Sequence, residues 1–151
     1  MAKIETILFA TDFSRGSAQA SELARTLCTL SGARLHVLHV ITTLHDRSNL
    51  RVSSAMLSNM MGEIKQNAAE DMQQFCQANF TGLDSTTHVV FGSAHEELLR
   101  EAERIGADLI VMGTHGRTGL EKLLMGSTAE KIVRSSPIPV LTVRESEKGK
   151  D

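Results

Sequence analysis

Two glycine-containing segments of this chain have the residue types of an anion-binding site. Residues 113–119 read Gly-Thr-His-Gly-Arg-Thr-Gly, and residues 126–128 read Gly-Ser-Thr just before a predicted helix. Gly113 and Gly116 permit tight turns that bring backbone N–H groups close to a ligand. A helix N-terminus favours phosphate, and Ser127 adds a hydroxyl donor. Taken singly, these residues could only form turns and a helix cap, but together after a strand they predict a phosphate site.

The two segments match neither of the common glycine motifs for nucleotides. Gly-x4-Gly-Lys-Ser/Thr is absent from the chain, and Gly113 and Gly116 are three apart, so Gly-x-Gly-x2-Gly is absent too. The chain also lacks a Gly-x-Ser-x-Gly elbow, and neither Cys28 nor Cys76 has a neighbouring His. We therefore assign no catalytic residue.

The six histidines do not predict a transition-metal site. His36 and His39 are three apart on a predicted strand, so they point to opposite faces and cannot easily share an ion. His88 lies on another strand and His95 in the first turn of a helix. His115 differs because it lies within the glycine segment, where we expect a ligand contact or a loop-forming role.

The elements that must position these residues alternate along the chain. Apolar strands are predicted over residues 4–10, 34–41, 86–91, 108–112 and 139–144, and helices over 14–30, 54–79, 93–105 and 127–135. Two capping boxes, Ser93 with Glu96 and Ser127 with Glu130, open the third and fourth helices. A methionine stripe on the second helix, beginning at Met56, is interpreted as core. Strands separated by helices run parallel with right-handed crossovers, which predicts an α/β fold, a doubly wound three-layer α/β/α sandwich.

Length and composition exclude several classes of protein. The chain has 151 residues, 16 basic against 18 acidic, with five Phe and no Trp or Tyr. This balance argues against disorder and against nucleic-acid binding through bulk charge or base stacking. No apolar run is long enough for a membrane span or a signal core. We expect a cytoplasmic protein with one domain over residues 1–145 and a flexible charged tail over 146–151.

The pattern Gly113-x2-Gly116-x9-Gly126-Ser127 resembles the nucleotide-binding signature of the universal stress protein family. Residues 7–14, Ile-Leu-Phe-Ala-Thr-Asp-Phe-Ser, look like that family's first strand and turn, and residues 107–113 and 136–141 are similar to its later blocks. The resemblance covers nearly the whole chain apart from residues 42–85 and the tail. It places the chain in the subgroup that keeps the glycine signature and binds ATP.

The resemblance implies a Rossmann-like, adenine nucleotide alpha hydrolase-like sheet of five parallel strands in the order 3-2-1-4-5. It also implies a homodimer that pairs the last strand, from Val140 to Arg144, across a two-fold axis. The implied ligand is ATP, or AMP or ADP, with Mg²⁺ as an optional companion.

Carried over by position, the resemblance implies a set of nucleotide-binding residues. Asp12 and Val40 would face adenine and ribose, Met112 with its successors would border the ribose and first phosphate, and the segment from Gly126 would hold the outer phosphates. The complete set is Ala10, Thr11, Asp12, Val40, Met112, Gly113, His115, Gly116, Arg117, Gly126, Ser127 and Thr128.

The expected function is that of a stress-response protein whose dimer responds to a bound adenine nucleotide. No lysine lies at a point where it must reach a γ-phosphate, and no obvious base would activate water. Hydrolysis is therefore expected to be slow or absent. Two alternatives stay open: a weak or partner-stimulated ATPase, and a dimeric interaction module with a vestigial pocket. The protein partner is unknown.

Overall fold

A computed structural model of the chain describes residues 3–42, 53–114 and 125–145. Within these ranges five strands alternate with four helices, and each element lies within about two residues of its predicted bounds. The elements are β1 Thr6–Ala10, α1 Arg15–Ser31, β2 Arg34–Ile41, α2 Ser54–Asn79, β3 Ser85–Phe91, α3 Ala94–Ile105, β4 Leu109–Gly113, α4 Ser127–Ser135 and β5 Val140–Val143. The predicted alternation is confirmed.

All five strands run parallel in one sheet with the order β3-β2-β1-β4-β5. This confirms the predicted three-layer fold and its strand order. The central strand is β1, whose Phe9 is paired with Val37 of β2 and with Val111 of β4. Ile7, Leu8 and Phe9 are fully buried because helices cover both faces of this strand.

Two apolar cores lie on the two faces of the sheet, because successive strand residues point to opposite sides. Phe9 and its neighbours pack against α1 and α2 on one face. Leu8 and its neighbours pack against α3 and α4 on the other face. The sheet therefore forms the middle layer of the sandwich.

The methionine stripe of α2 is core only in its C-terminal half. Ala68, Met72 and Phe75 are buried, whereas the side chain of Met56 is 57% exposed. A helix of this length extends about 39 Å, while β2 extends about 26 Å, so the helix is longer than the strand it covers. The interpretation of Met56 as core is therefore wrong.

A side chain caps the first helix, whereas the cap predicted for the third helix does not form. Ser14 caps α1, since its hydroxyl oxygen accepts the Ser17 N–H at 3.3 Å. Ser93 occupies the cap position of α3, but no described residue gives that helix a side-chain cap. The Ser93 hydroxyl lies instead 3.2 Å from Nδ1 of His95. The predicted capping box with Glu96 is therefore wrong, because the imidazole engages the serine.

The beginning of β1 is attached to the beginning of β4 by one carboxylate. Oδ2 of Asp108 accepts the backbone N–H groups of Glu5 and Thr6 at 2.8 and 3.0 Å. The Asp108 N–H in turn donates to the Thr6 carbonyl at 2.8 Å. This contact fixes the register in which the first strand meets the fourth.

Asp108→Ala is expected to lower the free energy of unfolding by about 2 kcal/mol. The substitution removes a charged carboxylate that accepts hydrogen bonds from two backbone N–H groups. Urea denaturation followed by circular dichroism measures the change. Asp71→Ala, at an exposed carboxylate of α2, is the matched control and should change stability by less than about 0.5 kcal/mol. Equal effects of the two variants would contradict the structural role of Asp108.

Among the described residues, no helix has the length and hydropathy that a membrane crossing requires.

Candidate functional site

A cavity of about 370 Å³ opens at the carboxyl edge of the sheet. The chain first builds the sheet outward from β1 to β3 and then returns to place β4 on the other side of β1. In open α/β sheets, ligands bind in the crevice at this reversal. The cavity lies there, between the ends of β1, β2 and β4 and the first turns of α1, α3 and α4.

Nine of the predicted site residues line this cavity: Ala10, Thr11, Asp12, Val40, Met112, Gly113, Gly126, Ser127 and Thr128. The other three, His115, Gly116 and Arg117, lie outside the described residues. The structure therefore brings together four segments of the chain, the first and last of which are more than a hundred residues apart in sequence. That these residues contact a nucleotide stays a prediction.

The turn after β1 is held by its own polar side chains. Phe13 has a positive φ of 65°, a backbone region that non-glycine residues seldom occupy. Oγ1 of Thr11 accepts the Phe13 N–H, and Oδ1 of Asp12 accepts the Ser14 N–H, both at 3.0 Å. Oγ of Ser17 accepts the Asp12 N–H at 3.3 Å. These bonds fix the turn and place Asp12 at the cavity wall.

His39 is a lining residue that the sequence interpretation did not place in the site. Its Nδ1 lies 2.8 Å from the carbonyl oxygen of Thr11, so this nitrogen carries the proton and donates it. Its ring centroid lies 4.3 Å from that of Phe13. The prediction that His36 and His39 face opposite sides of the sheet is confirmed, since His36 faces α3. The sequence pattern presents His39 only as a possible metal ligand and gives no signal for its place on the cavity wall.

Backbone hydrogen bonds join the two ends of the predicted glycine loop. The Gly126 N–H donates to the Thr114 carbonyl at 2.6 Å, and the Thr114 N–H donates to the Val143 carbonyl at 3.1 Å. The end of β4 therefore lies directly beside the start of α4. Residues 115–124 connect these two points and lie outside the described part of the chain.

The start of α4 provides the anion-binding groups of the cavity. Gly126 is the N-cap, with an extended backbone, and its carbonyl accepts the Glu130 N–H at 3.0 Å. Ser127 is thus the first helical residue, and the predicted capping box of Ser127 with Glu130 is wrong because the helix begins one residue early. The described residues give α4 no side-chain cap. Its positive dipole end, with Ser127 and Thr128 on the cavity wall, suits an anion.

The remaining wall of the cavity is aliphatic. Ala10, Leu38, Val40, Leu98 and Met112 contribute to it, and no described lining residue carries a large aromatic ring. Among the described lining residues, Asp12 and His39 carry the ionisable side chains. The arrangement therefore suits a ligand with one flat apolar part and one anionic part.

A second polar cluster lies outside the cavity, where β2 and β3 meet α3. Oε2 of Glu101 lies 3.2 Å from Nε2 of His36 and also contacts Nδ1 of His88, while Oε1 contacts Nε of Arg104. Burial would raise the pKa of Glu101, but the hydrogen bonds from Arg104, His88 and His36 outweigh it and lower this pKa to about 2. Glu101 is therefore a buried carboxylate that stays ionised at neutral pH.

Comparison with known proteins gives consistent results. A model described as the universal stress protein family matches residues 3–144. Universal stress protein MJ0577 of Methanocaldococcus jannaschii is 31% identical, over 91% of this chain and 93% of that protein. A solved structure of MJ0577 superposes with a TM-score of 0.84 at 29% identity, covering 95% of this chain and 98% of that one.

Two more distant solved structures share the fold. A universal stress protein in complex with cAMP has a TM-score of 0.61 at 23% identity, covering 95% of this chain and 99% of its own. A universal stress protein from Archaeoglobus fulgidus in complex with dAMP has a TM-score of 0.55 at 16% identity, covering 95% and 100%.

Proposed function

Because the chain belongs to the universal stress protein family, we propose that it binds an adenine nucleotide, with ATP as the principal ligand, in the cavity at the carboxyl edge of the sheet. The observation that carries this proposal is the combination of an aliphatic wall with the N-terminus of α4, to which the described residues give no side-chain cap, in one cavity. An adenine ring and a chain of phosphates need these two surfaces side by side.

The distant structures with cAMP and dAMP support the ligand class, because both ligands are adenine nucleotides held by proteins of this fold. Neither the fold nor the cavity alone selects adenine among the bases. The selection in our proposal rests on the family and on the aliphatic lining residues, among them Val40 and Met112. Since the chain has no Trp or Tyr, the base lies against aliphatic groups, and discrimination against guanine is modest.

In the proposed binding mode the nucleotide spans the cavity from β2 to α4. Val40 faces the adenine, Asp12 accepts from a ribose hydroxyl, and Gly113 borders the first phosphate. The N–H groups at the start of α4 and the hydroxyl of Ser127 donate to the outer phosphates. His115, Gly116 and Arg117 complete the phosphate side, and Mg²⁺, when present, is carried by the phosphate oxygens.

The protein acts, in this proposal, as a cytoplasmic stress-response dimer whose state depends on the nucleotide. Hydrolysis is slow or absent, because the sequence places no lysine where it must reach the γ-phosphate and offers no obvious base to activate water. The dimer forms through residues 140–144. In support, β5 is the last strand in the sheet order and its four residues are half-buried. Its outer edge has backbone groups that a second copy can pair.

The dimer gives a direct prediction. Sedimentation equilibrium of the purified protein is expected to give twice the 16.4 kDa chain mass, because pairing of two β5 edges would bury their unpaired N–H and C=O groups. A single-chain mass at protein concentrations up to about 100 µM, well above a dissociation constant of 1 µM, would contradict the proposed interface.

One experiment tests ligand and turnover together. Purified protein is denatured, and the released small molecules are separated by chromatography; we expect ATP. With no Trp or Tyr the chain absorbs little near 280 nm, so a co-purified nucleotide would dominate its ultraviolet spectrum. ATP at a hundred times its Kd should raise the stability of nucleotide-free protein by about 2.7 kcal/mol. This corresponds to a rise in Tm of about 5–10 °C.

The outcomes separate the three functions. Retained ATP that survives incubation with Mg²⁺ supports the binding function. Accumulation of ADP or AMP from fresh ATP and Mg²⁺ would contradict the binding function and support slow ATP hydrolysis. Failure to retain nucleotide, together with an unchanged Tm at millimolar ATP, would contradict both and leave a dimeric interaction module with a vestigial pocket.

A further inference from the structure

The cluster of His36, His88 and Glu101 brings together three groups that bind metal ions in proteins. One ligand atom of each lies within 4.8 Å of the other two. None of the three lines the nucleotide cavity. The cluster is therefore a separate feature of the molecule, on the β2–β3 side of α3.

The register of two neighbouring strands creates this cluster. His36 of β2 is paired with Thr86 of β3, and Leu38 is paired with His88. Because side chains alternate along a strand, His36 and His88 point to the same face of the sheet. Glu101 comes from the buried side of α3, next to Ala102. The two imidazoles thus meet one carboxylate that is almost fully removed from water.

The two imidazole nitrogens and the Glu101 carboxylate are arranged so that one cation could contact all three groups. Both imidazole nitrogens contact the same carboxylate oxygen, Oε2 of Glu101, while Arg104 occupies the other oxygen. The 3.2 Å between Nε2 of His36 and Oε2 is close to the separation of about 3.3 Å between two ligand atoms of a tetrahedral zinc ion with bonds of about 2.0–2.1 Å.

The ring of His36 is oriented by a further contact. Its Nδ1 is hydrogen-bonded to Oγ1 of Thr86. Metal-bound histidines commonly have this kind of outer partner, which fixes the ring and leaves the other nitrogen for the metal. When Nδ1 carries the proton and donates to Thr86, the lone pair of Nε2 faces the Glu101 carboxylate. A cation then joins the two atoms, which is a proton in the hydrogen-bonded cluster described above or a metal ion in its place.

We propose that Nε2 of His36, Nδ1 of His88 and Oε2 of Glu101 bind a divalent transition-metal ion, with Zn²⁺ as the occupant. Two imidazoles and one carboxylate are a ligand set that zinc accepts together with a water molecule in a fourth position. His88 is 45% exposed, so the ion enters from its side, where solvent supplies that water. When zinc is bound, the ring proton of His36 stays on Nδ1, which donates a hydrogen bond to Oγ1 of Thr86.

Zinc titration of the whole protein tests the proposal. Untagged, nucleotide-free protein is treated with EDTA, dialysed, and titrated with ZnCl₂ in an isothermal calorimeter. We expect one Zn²⁺ per chain and a rise of Tm that depends on zinc concentration. His88→Ala, at the exposed ligand, should weaken binding by about tenfold or more and reduce the rise of Tm at a given zinc concentration.

The matched control is His95→Ala, which removes a histidine of α3 outside the cluster and should bind zinc as the wild type does. Co²⁺ gives a second readout, because a site with two imidazole nitrogens and an oxygen in tetrahedral geometry produces visible absorption bands that His88→Ala must lose. Unchanged zinc affinity in folded His88→Ala, equal losses in both variants, or no binding to the wild type would each overturn the proposal. The cluster would then be a hydrogen-bonded structural network. Since the titration contains no nucleotide, its result does not depend on the cavity.

Discussion

Gly126→Val is expected to abolish detectable ATP binding while the protein stays folded. In our proposal the start of α4 donates backbone N–H groups to the outer phosphates, and a branched side chain at its N-cap blocks their close approach. Loss of two hydrogen bonds to a charged group costs about 3 kcal/mol or more. That corresponds to a Kd at least about a hundred times higher. Calorimetric titration with ATP measures it.

The backbone of Gly126 has φ −63° and ψ 158°, a region that valine adopts readily. Folding should therefore survive, with a loss of at most about 1 kcal/mol for the changed cap. Gly62→Val is the matched control, because Gly62 lies in α2 with nothing within 4 Å of an added Cβ. It should bind ATP as the wild type does.

Wild-type ATP affinity in Gly126→Val would show that the phosphate side of the proposed site is wrong. Gly116→Val is expected to act in the same way on the strength of the sequence signature alone, since Gly116 lies outside the described residues. If Gly116→Val loses binding and Gly126→Val does not, the phosphates are held by the segment before α4 and not by the helix itself.

Phe9→Ala is expected to give the largest loss of stability among the variants considered, about 3–5 kcal/mol. Phe9 is fully buried in the central strand. Its ring lies edge-on to Phe80 at a centroid distance of 5.3 Å and stacks near Phe75 at 6.1 Å. Truncation leaves a cavity bordered by both rings, which cannot close without moving α2. A loss of this size is a large part of the 5–15 kcal/mol that stabilises a typical domain.

Urea denaturation measures the effect, with Leu30→Ala as the control. Leu30 is also a large apolar residue, but it is 80% exposed, so its truncation should change stability by less than about 0.5 kcal/mol. Phe9→Leu, which keeps most of the volume, should cost clearly less than Phe9→Ala. A loss below about 1 kcal/mol in Phe9→Ala would contradict the position of β1 at the centre of the core.

The sequence alone was sufficient to predict the helices and strands. The order of the strands in the sheet required the resemblance to a known family. Strands such as β1 are continuous apolar runs, and helices such as α3 end at a glycine, so their bounds follow from local patterns. The alternation predicts parallel strands, but the order 3-2-1-4-5 came from family resemblance. Local patterns do not say on which side of β1 the fourth strand is added.

The errors lie where one local pattern is compatible with two arrangements. Ser93 and Ser127 both fit the capping pattern, but a nearby imidazole engages one and Gly126 replaces the other as N-cap. Met56 fits a helical stripe, yet its side chain is 57% exposed. In each case the pattern of residue types does not say which of the two arrangements forms.

The histidine cluster was missed because it depends on register. Whether His36 and His88 become neighbours is set by the pairing of β2 with β3, which neither strand reveals alone. One signal was present in the sequence. Glu101 falls on the apolar face of α3 between Leu98 and Ala102, where a charge is costly unless it has partners. A search for those partners would have led to the neighbouring strands.

The central place of β1 has a consequence for biosynthesis. β1 leaves the ribosome first, but one of its two neighbours begins at Leu109, about a hundred residues later. At 5–20 residues per second, translation leaves that edge of the strand unpaired for about 5–20 s. The nascent chain thus exposes the edge of Ile7, Leu8 and Phe9 until β4 has been made. A chain released before β4 would keep that edge open to aggregation.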